Sequence, residues 1–184
     1  TPHSYPGLYD NTNESIENSF KQINKEEYVD GIKISYASEY LIDNSLIKKA
    51  QKKSLLCLKD NLVLLETSFM GATIDIFDII FELRLNNYKP VIAHPERYLY
   101  ASDNLRFFYK LKKNDCLFQI NLLSCNAHYG YEVVSLADKL LKRGWIDYVG
   151  SDIHSTKHID KFKDKVVCKE IEKLEYAIAK NINF

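Results

Sequence analysis

Apolar positions along the chain keep two rhythms in turn, a period near four and a period of two. Residues 12–28 place Ile16 and Phe20 four apart behind Asn11 to Asn13 as capping candidates, which predicts a helix. Residues 31–40 alternate Ile32, Ile34 and Tyr36, as a half-buried strand does. Residues 44–53 predict a short helix, and the apolar run at 61–69 a strand. Ile74, Phe77, Phe81 and Arg84 stand at helical spacing in residues 73–88. Residues 89–94 predict a strand entered through Pro90; residues 104–113 a helix; residues 116–121 a strand. A helix follows at 132–144, closed by Gly144, then a strand at 145–152 and a mostly helical tail from Lys161 to Lys180. Strand and helix in strict alternation imply an α/β fold, a parallel sheet with helices outside it, open or closed into a barrel.

The polar residues that end the strands carry a second pattern. Glu39, Glu66, His94, Asn121 and Asp152 follow one another at steps of 27, 28, 27 and 31 residues, about one strand-helix unit each. In parallel α/β folds, functional groups gather at the carboxyl ends of the strands. The stretch "VIAHPERYLY", Val91–Tyr100, shows the switch: three β-prone apolar residues give way to His94, Glu96 and Arg97 around Pro95.

Composition narrows the function classes. The 184 residues fit a single domain over 1–184, with no linker, repeat or low-complexity segment. A formal net charge of +0 argues against duplex nucleic acid or an anionic membrane as a general electrostatic partner. No apolar run has the length of a membrane span, and "TPHSYPGLYD" lacks the basic and apolar regions of a signal peptide. Cys57, Cys116, Cys125 and Cys168 are scattered without a paired spacing, so they read as reduced thiols of a cytoplasmic protein.

Carboxylates and imidazoles that converge in a pocket call for a neutralising cation. His3, Glu39, Glu66, His94, Asp152 and His154 form a nitrogen and oxygen donor set without sulfur, which suits zinc, manganese or iron. Six donors exceed one tetrahedral ion and suit two or three ions with shared carboxylates, a site that polarises a phosphoryl or carbonyl oxygen and activates water. Asp152 and His154, two apart, face the same side of an extended segment. Arg97 lies three residues past His94, close enough to bind an anion with two donors; an ion pair with Glu96 or another neighbour is the alternative. Lys157 and His158 follow the last strand as substrate contacts or as a solvated loop. Asn121 could orient a ligand or water, and His128 reads as a loop residue. Ser124 and Cys125 lack an activating base, so no covalent nucleophile is expected.

The segments "TPH", "LLETSF", "VIAHPERY", "QINLLS" and "VGSDIHS" together resemble the bacterial manganese-dependent tyrosine phosphatases of the polymerase-and-histidinol-phosphatase (PHP) superfamily, the CpsB/YwqE type. The resemblance runs in order along nearly the whole chain. It implies a distorted (β/α)7 barrel and a site for up to three ions, most typically manganese. It implies hydrolysis of phosphotyrosine on a protein, such as the tail of a bacterial tyrosine kinase that controls capsule or exopolysaccharide synthesis. His3, Glu39, Glu66, His94, Asp152 and His154 match the family's metal ligands, Glu66 as a bridging one. Arg97 matches a phosphate-contacting arginine. Where the family often carries a second arginine, this chain has Lys157, which cannot reproduce the bidentate fork.

Measured against that pattern, the chain is expected to be incomplete at its N-terminus. The family's first strand, its His-x-His motif and a following aspartate have no counterpart here. That departure keeps two alternatives open. One is another superfamily phosphoesterase acting on a small phosphate; the other is a non-catalytic, degenerate binding module.

Overall fold

The computed structural model describes residues 1–23 and 34–183. Two compact units divide them: Thr1–Glu66 with Thr73–Pro90, and Thr67–Ala72 with the chain from Val91 onward.

In the first unit, β1 (His3–Ser4), β2 (Glu39–Leu41) and β3 (Leu62–Glu66) alternate with α1 (Asn13–Lys21), α2 (Ser45–Gln51) and α3 (Ile76–Leu85). The strands pair in parallel, with His3 opposite Glu39 and Leu41 opposite Glu66. Thr12 caps α1 by accepting from the Ser15 backbone N–H, and Ser15 returns the bond to the Thr12 N–H. Such a reciprocal cap satisfies two otherwise orphaned donors. Ser38 Oγ donates to the Pro2 carbonyl at 3.0 Å and lies 2.6 Å from Ser4 Oγ. Those bonds tie Ser4 of β1, and Pro2 before it, to the residue that leads into β2.

Two details differ from the sequence pattern. The first full strand, expected at 31–40, has residues 31–33 outside the described residues. Residues 34–38 carry no ladder, so Glu39 opens β2 instead of closing it. In α3 the buried stripe is Ile76, Ile79, Ile80 and Leu83, whereas Ile74 and Phe81 are exposed. This segment is so apolar that two stripes satisfy a helical period, and the spacing i, i+3, i+4, i+7 is the one that packs.

In the second unit, β4 (Lys89–Ala93, from Val91 onward), β5 (Leu117–Asn121) and β6 (Tyr148–Gly150) alternate with α4 (Arg106–Lys113) and α5 (Tyr131–Lys142). The helices α6 (Thr156–Lys161) and α7 (Ile171–Lys180) follow. Parallel ladders set Ile92 against Phe118 and Asn121 against Gly150. A Cβ on Gly150 would stand 2.9 Å from the far end of the Gln119 side chain, so a larger residue there would require that side chain to shift. Asp147 accepts from the Phe118 N–H and from Lys112 Nζ, fixing the start of β6.

Six parallel strands thus alternate with helices, as the pattern predicts. Buried stretches such as Val63–Glu66 and Pro90–Ala93 are continuous, not alternating, as in parallel strands whose two faces are both shielded from water. Val91, Ile92, Phe108, Phe118, Ile120 and Leu136 are wholly buried in the second unit. Each stabilises it by about 1.5–3 kcal/mol. Among the described residues, no helix is long and apolar enough to cross a membrane.

Candidate metal and phosphate-binding site

The parallel register that sets His3 beside Glu39 also brings Glu66, at the end of β3, to the same place. His3 Nδ1 lies 3.2 Å from Glu66 Oε1 and 4.0 Å from Glu39 Oε2. Both carboxylate side chains are only 5% exposed. One donor atom from each of the three residues falls within 4.8 Å of the others. Two carboxylates shielded from water repel each other unless a cation sits with them. An imidazole and two carboxylates at this spacing fit a divalent ion whose ligand distances are about 2.0–2.2 Å. Tyr5 and Tyr9 pack their rings 4.7 and 5.4 Å from His3, and Asn11 Nδ2 holds the His3 carbonyl at 2.8 Å.

The second unit carries its own cluster. At the end of β4, His94 has φ 33°, and just past β6, Asp152 has φ 49°. Left-handed backbone is costly for residues other than glycine and persists where the surroundings over-determine it, as at functional sites. His94 donates its N–H to the Gln119 carbonyl at 2.7 Å. A 3-10 turn, Pro95–Arg97, then redirects the chain.

Arg97 and Glu96 part company in that turn. The Arg97 guanidinium lies between two rings, with its Cζ 4.4 Å from the Phe69 centroid and 4.3 Å from that of Tyr129. Its Nη1 meets Asp152 Oδ2 at 3.4 Å, so the ion pair Arg97 makes is with Asp152 and not with Glu96. Glu96 is wholly buried instead. Its Oε1 accepts from Ser124 Oγ at 2.6 Å and from the Asn121 N–H at 3.0 Å. Burial raises its carboxyl pKa, against the opposing pull of Ser124 and His94. Asn121 in turn donates Nδ2 to Asp152 Oδ2 at 2.8 Å, while its Oδ1 accepts the Leu123 N–H. The chain of contacts Glu96, Asn121, Asp152, Arg97 therefore fixes the orientation of the last two.

His154 stands next to Asp152, Nδ1 to Oδ1 at 3.3 Å, and is half exposed. His158 accepts the His154 N–H at 3.2 Å, and its ring centroid lies 5.2 Å from that of His128. Lys157 is exposed on α6.

Of the residues expected from sequence, His3, Glu39 and Glu66 come together in the first unit. Arg97, Asp152 and His154 come together in the second, where the His94 ring packs 5.7 Å from Phe69 and 5.9 Å from Tyr98. In the sequence Glu96 reads only as an ion-pair partner for Arg97, and nothing singles out Phe69 or Tyr129. A carboxylate inside a short polar run after a strand gives no sign of its depth; only the partners Ser124 and Asn121 reveal it.

The chain matches the family model for capsular polysaccharide synthesis proteins, CpsB/CapC, over residues 1–176. It belongs to that family. The tyrosine-protein phosphatase YwqE of Bacillus subtilis (strain 168) is 28% identical over 160 residues, which cover 85% of this chain and 63% of YwqE. The tyrosine-protein phosphatase CpsB of Streptococcus pneumoniae is 26% identical over 163 residues, 84% of this chain and 67% of CpsB. This chain thus spans less than two thirds of YwqE. A solved structure from work on YwqE and CpsB, described as unique metal-dependent tyrosine phosphatases, superposes with a TM-score of 0.77 at 26% identity. It covers 96% of this chain and 71% of the other. The α/β fold expected from the alternation is the fold these phosphatases share.

Proposed function

We propose that the chain hydrolyses phosphotyrosine on a protein in a metal-dependent reaction. The observation that carries the proposal is the cluster of His3 with two buried carboxylates, Glu39 and Glu66, in a chain whose relatives are tyrosine phosphatases. In this reading one family domain occupies residues 1–184. His3, Glu39 and Glu66 in the first unit, and His94, Asp152 and His154 in the second, are the metal ligands. Manganese is the ion, up to three in a complete site.

Bound divalent ions supply Lewis acidity toward a phosphoryl oxygen and lower the pKa of water. The protein's own residues do the rest. Arg97, its plane fixed between Phe69 and Tyr129, binds the phosphate oxygens through its fork of N–H donors. Asn121 keeps Asp152 turned toward Arg97. Lys157, on exposed α6, adds a single point charge toward the substrate. The substrate is a phosphotyrosine protein, in this reading a bacterial tyrosine kinase linked to capsule or exopolysaccharide synthesis. The family's description, capsular polysaccharide synthesis, supports that assignment.

The test is the metal content of the chain and of Glu66→Gln after manganese loading and desalting, measured by elemental analysis. Glu66→Gln keeps the shape and removes the charge, so it is expected to lose manganese. Equal manganese in the two proteins would contradict the assignment.

A further inference from the structure

A phosphate bound by Arg97 leaves the organic half of the ester to be held by something else. Phe69 stands beside Arg97. It lies in the second unit, in the segment Thr67–Ala72, with its ring against Arg97 and 5.7 Å from the His94 ring. Yet 47% of Phe69 is exposed, and Met70 beside it is 92% exposed. A large ring left open to water beside charged groups costs hydrophobic free energy that folding does not recover.

The segment that carries it is held firmly at its start. The Thr67 N–H donates to Tyr98 Oη at 3.2 Å, and Thr67 Oγ1 lies 2.8 Å from Tyr100 Oη. Tyr98 itself is wholly buried and donates to the Ala93 carbonyl. The Met70 N–H bonds Ser68 Oγ at 3.1 Å, closing a turn around Phe69. The placement of the ring is therefore built in.

Support of Arg97 alone does not account for it. Tyr129 already covers the guanidinium at 4.3 Å, and a ring needed only as a cover has no reason to stay half open.

We propose that Phe69 determines specificity: its exposed half receives the aromatic ring of phosphotyrosine, with Met70 extending the apolar surface. This rests on the reading of Arg97 as the phosphate contact. In an aryl phosphate the ring is one oxygen away from phosphorus. A phosphate on Arg97 therefore carries that ring to the range of about 4.5–7 Å at which aromatic pairs form. Phosphoserine and phosphothreonine offer only aliphatic carbon there. The site selects tyrosine by stacking, not by a deep slot.

The experiment is calorimetric titration of the manganese-loaded chain with the non-hydrolysable phosphonate analogues of phosphotyrosine and phosphoserine and with inorganic phosphate, repeated on Phe69→Leu and Phe69→Trp. The unmodified chain is expected to bind the phosphotyrosine analogue about tenfold more tightly than the phosphoserine analogue. Phe69→Leu keeps apolar bulk without a ring and should bring the two ligands close to equality. Phe69→Trp should keep the preference. Equal binding of the two analogues by the unmodified chain, a preference that survives in Phe69→Leu, or one lost in Phe69→Trp overturns the role of Phe69. Inorganic phosphate separates the two readings. If it does not bind, or if Arg97→Lys leaves its binding unchanged, the assignment of Arg97 itself falls.

Discussion

Arg97 is a residue whose surroundings decide its chemistry. A guanidinium stacked between two rings loses little further freedom when it binds, and its planar fork offers paired donors to a phosphate. Lysine keeps the charge and loses both the plane and the fork. Arg97→Lys is therefore expected to lower kcat/KM for a phosphotyrosine peptide by roughly a hundredfold, with manganese content unchanged. Unaltered kcat/KM would make Arg97 a structural partner of Asp152 only. Ser124 tests the buried carboxyl at the same scale. Its hydroxyl is one of two donors to Glu96 Oε1, at a depth where no water replaces it. Ser124→Ala should destabilise the protein by about 1–3 kcal/mol, read from urea unfolding. A change well below that range would show that Glu96 does not depend on this bond.

At the scale of elements, the candidate residues Glu66, His94, Asn121 and Asp152 lie at or just past strand ends, whereas His3 and Glu39 open β1 and β2. The steps of 27 to 31 residues picked out Glu39, Glu66, His94, Asn121 and Asp152 because one strand-helix unit has a nearly constant length. Helices such as α5 declared themselves through Val133, Val134, Ala137 and Leu141, a buried stripe at helical spacing. What stayed hidden depends on contacts far apart in sequence. Glu39 opens its strand instead of closing it because the ladder starts only where His3 pairs with it. Phe69 and Tyr129 meet Arg97 from segments 28 and 32 residues away, and no local rhythm encodes that meeting. The link between β5 and β6 is equally non-local. Asn121 ends the first, and Asp152 follows the second. Asn121→Ala should leave the fold intact by circular dichroism while lowering phosphotyrosine turnover about tenfold, because Asp152 loses a charge-assisted hydrogen bond that orients it. Full turnover in that variant would remove Asn121 from the account.

For the whole molecule, metal binding and stability are linked. Two buried carboxylates beside His3 repel in the folded chain and are solvated in the unfolded one, so an ion bound only by the folded form stabilises it. At manganese a hundredfold above its dissociation constant the gain is about 2.7 kcal/mol. The melting temperature should accordingly rise with manganese concentration, and Glu66→Gln should flatten the rise. A melting temperature indifferent to manganese would mean that the cluster is not a metal site. The match to metal-dependent tyrosine phosphatases makes the corresponding demand on activity. The most direct test is release of inorganic phosphate from a phosphotyrosine peptide by the chelator-treated chain, before and after manganese is added back. No release is expected before addition, and sustained release after it. Release that persists after chelation, or none at any manganese concentration, would contradict metal-dependent hydrolysis.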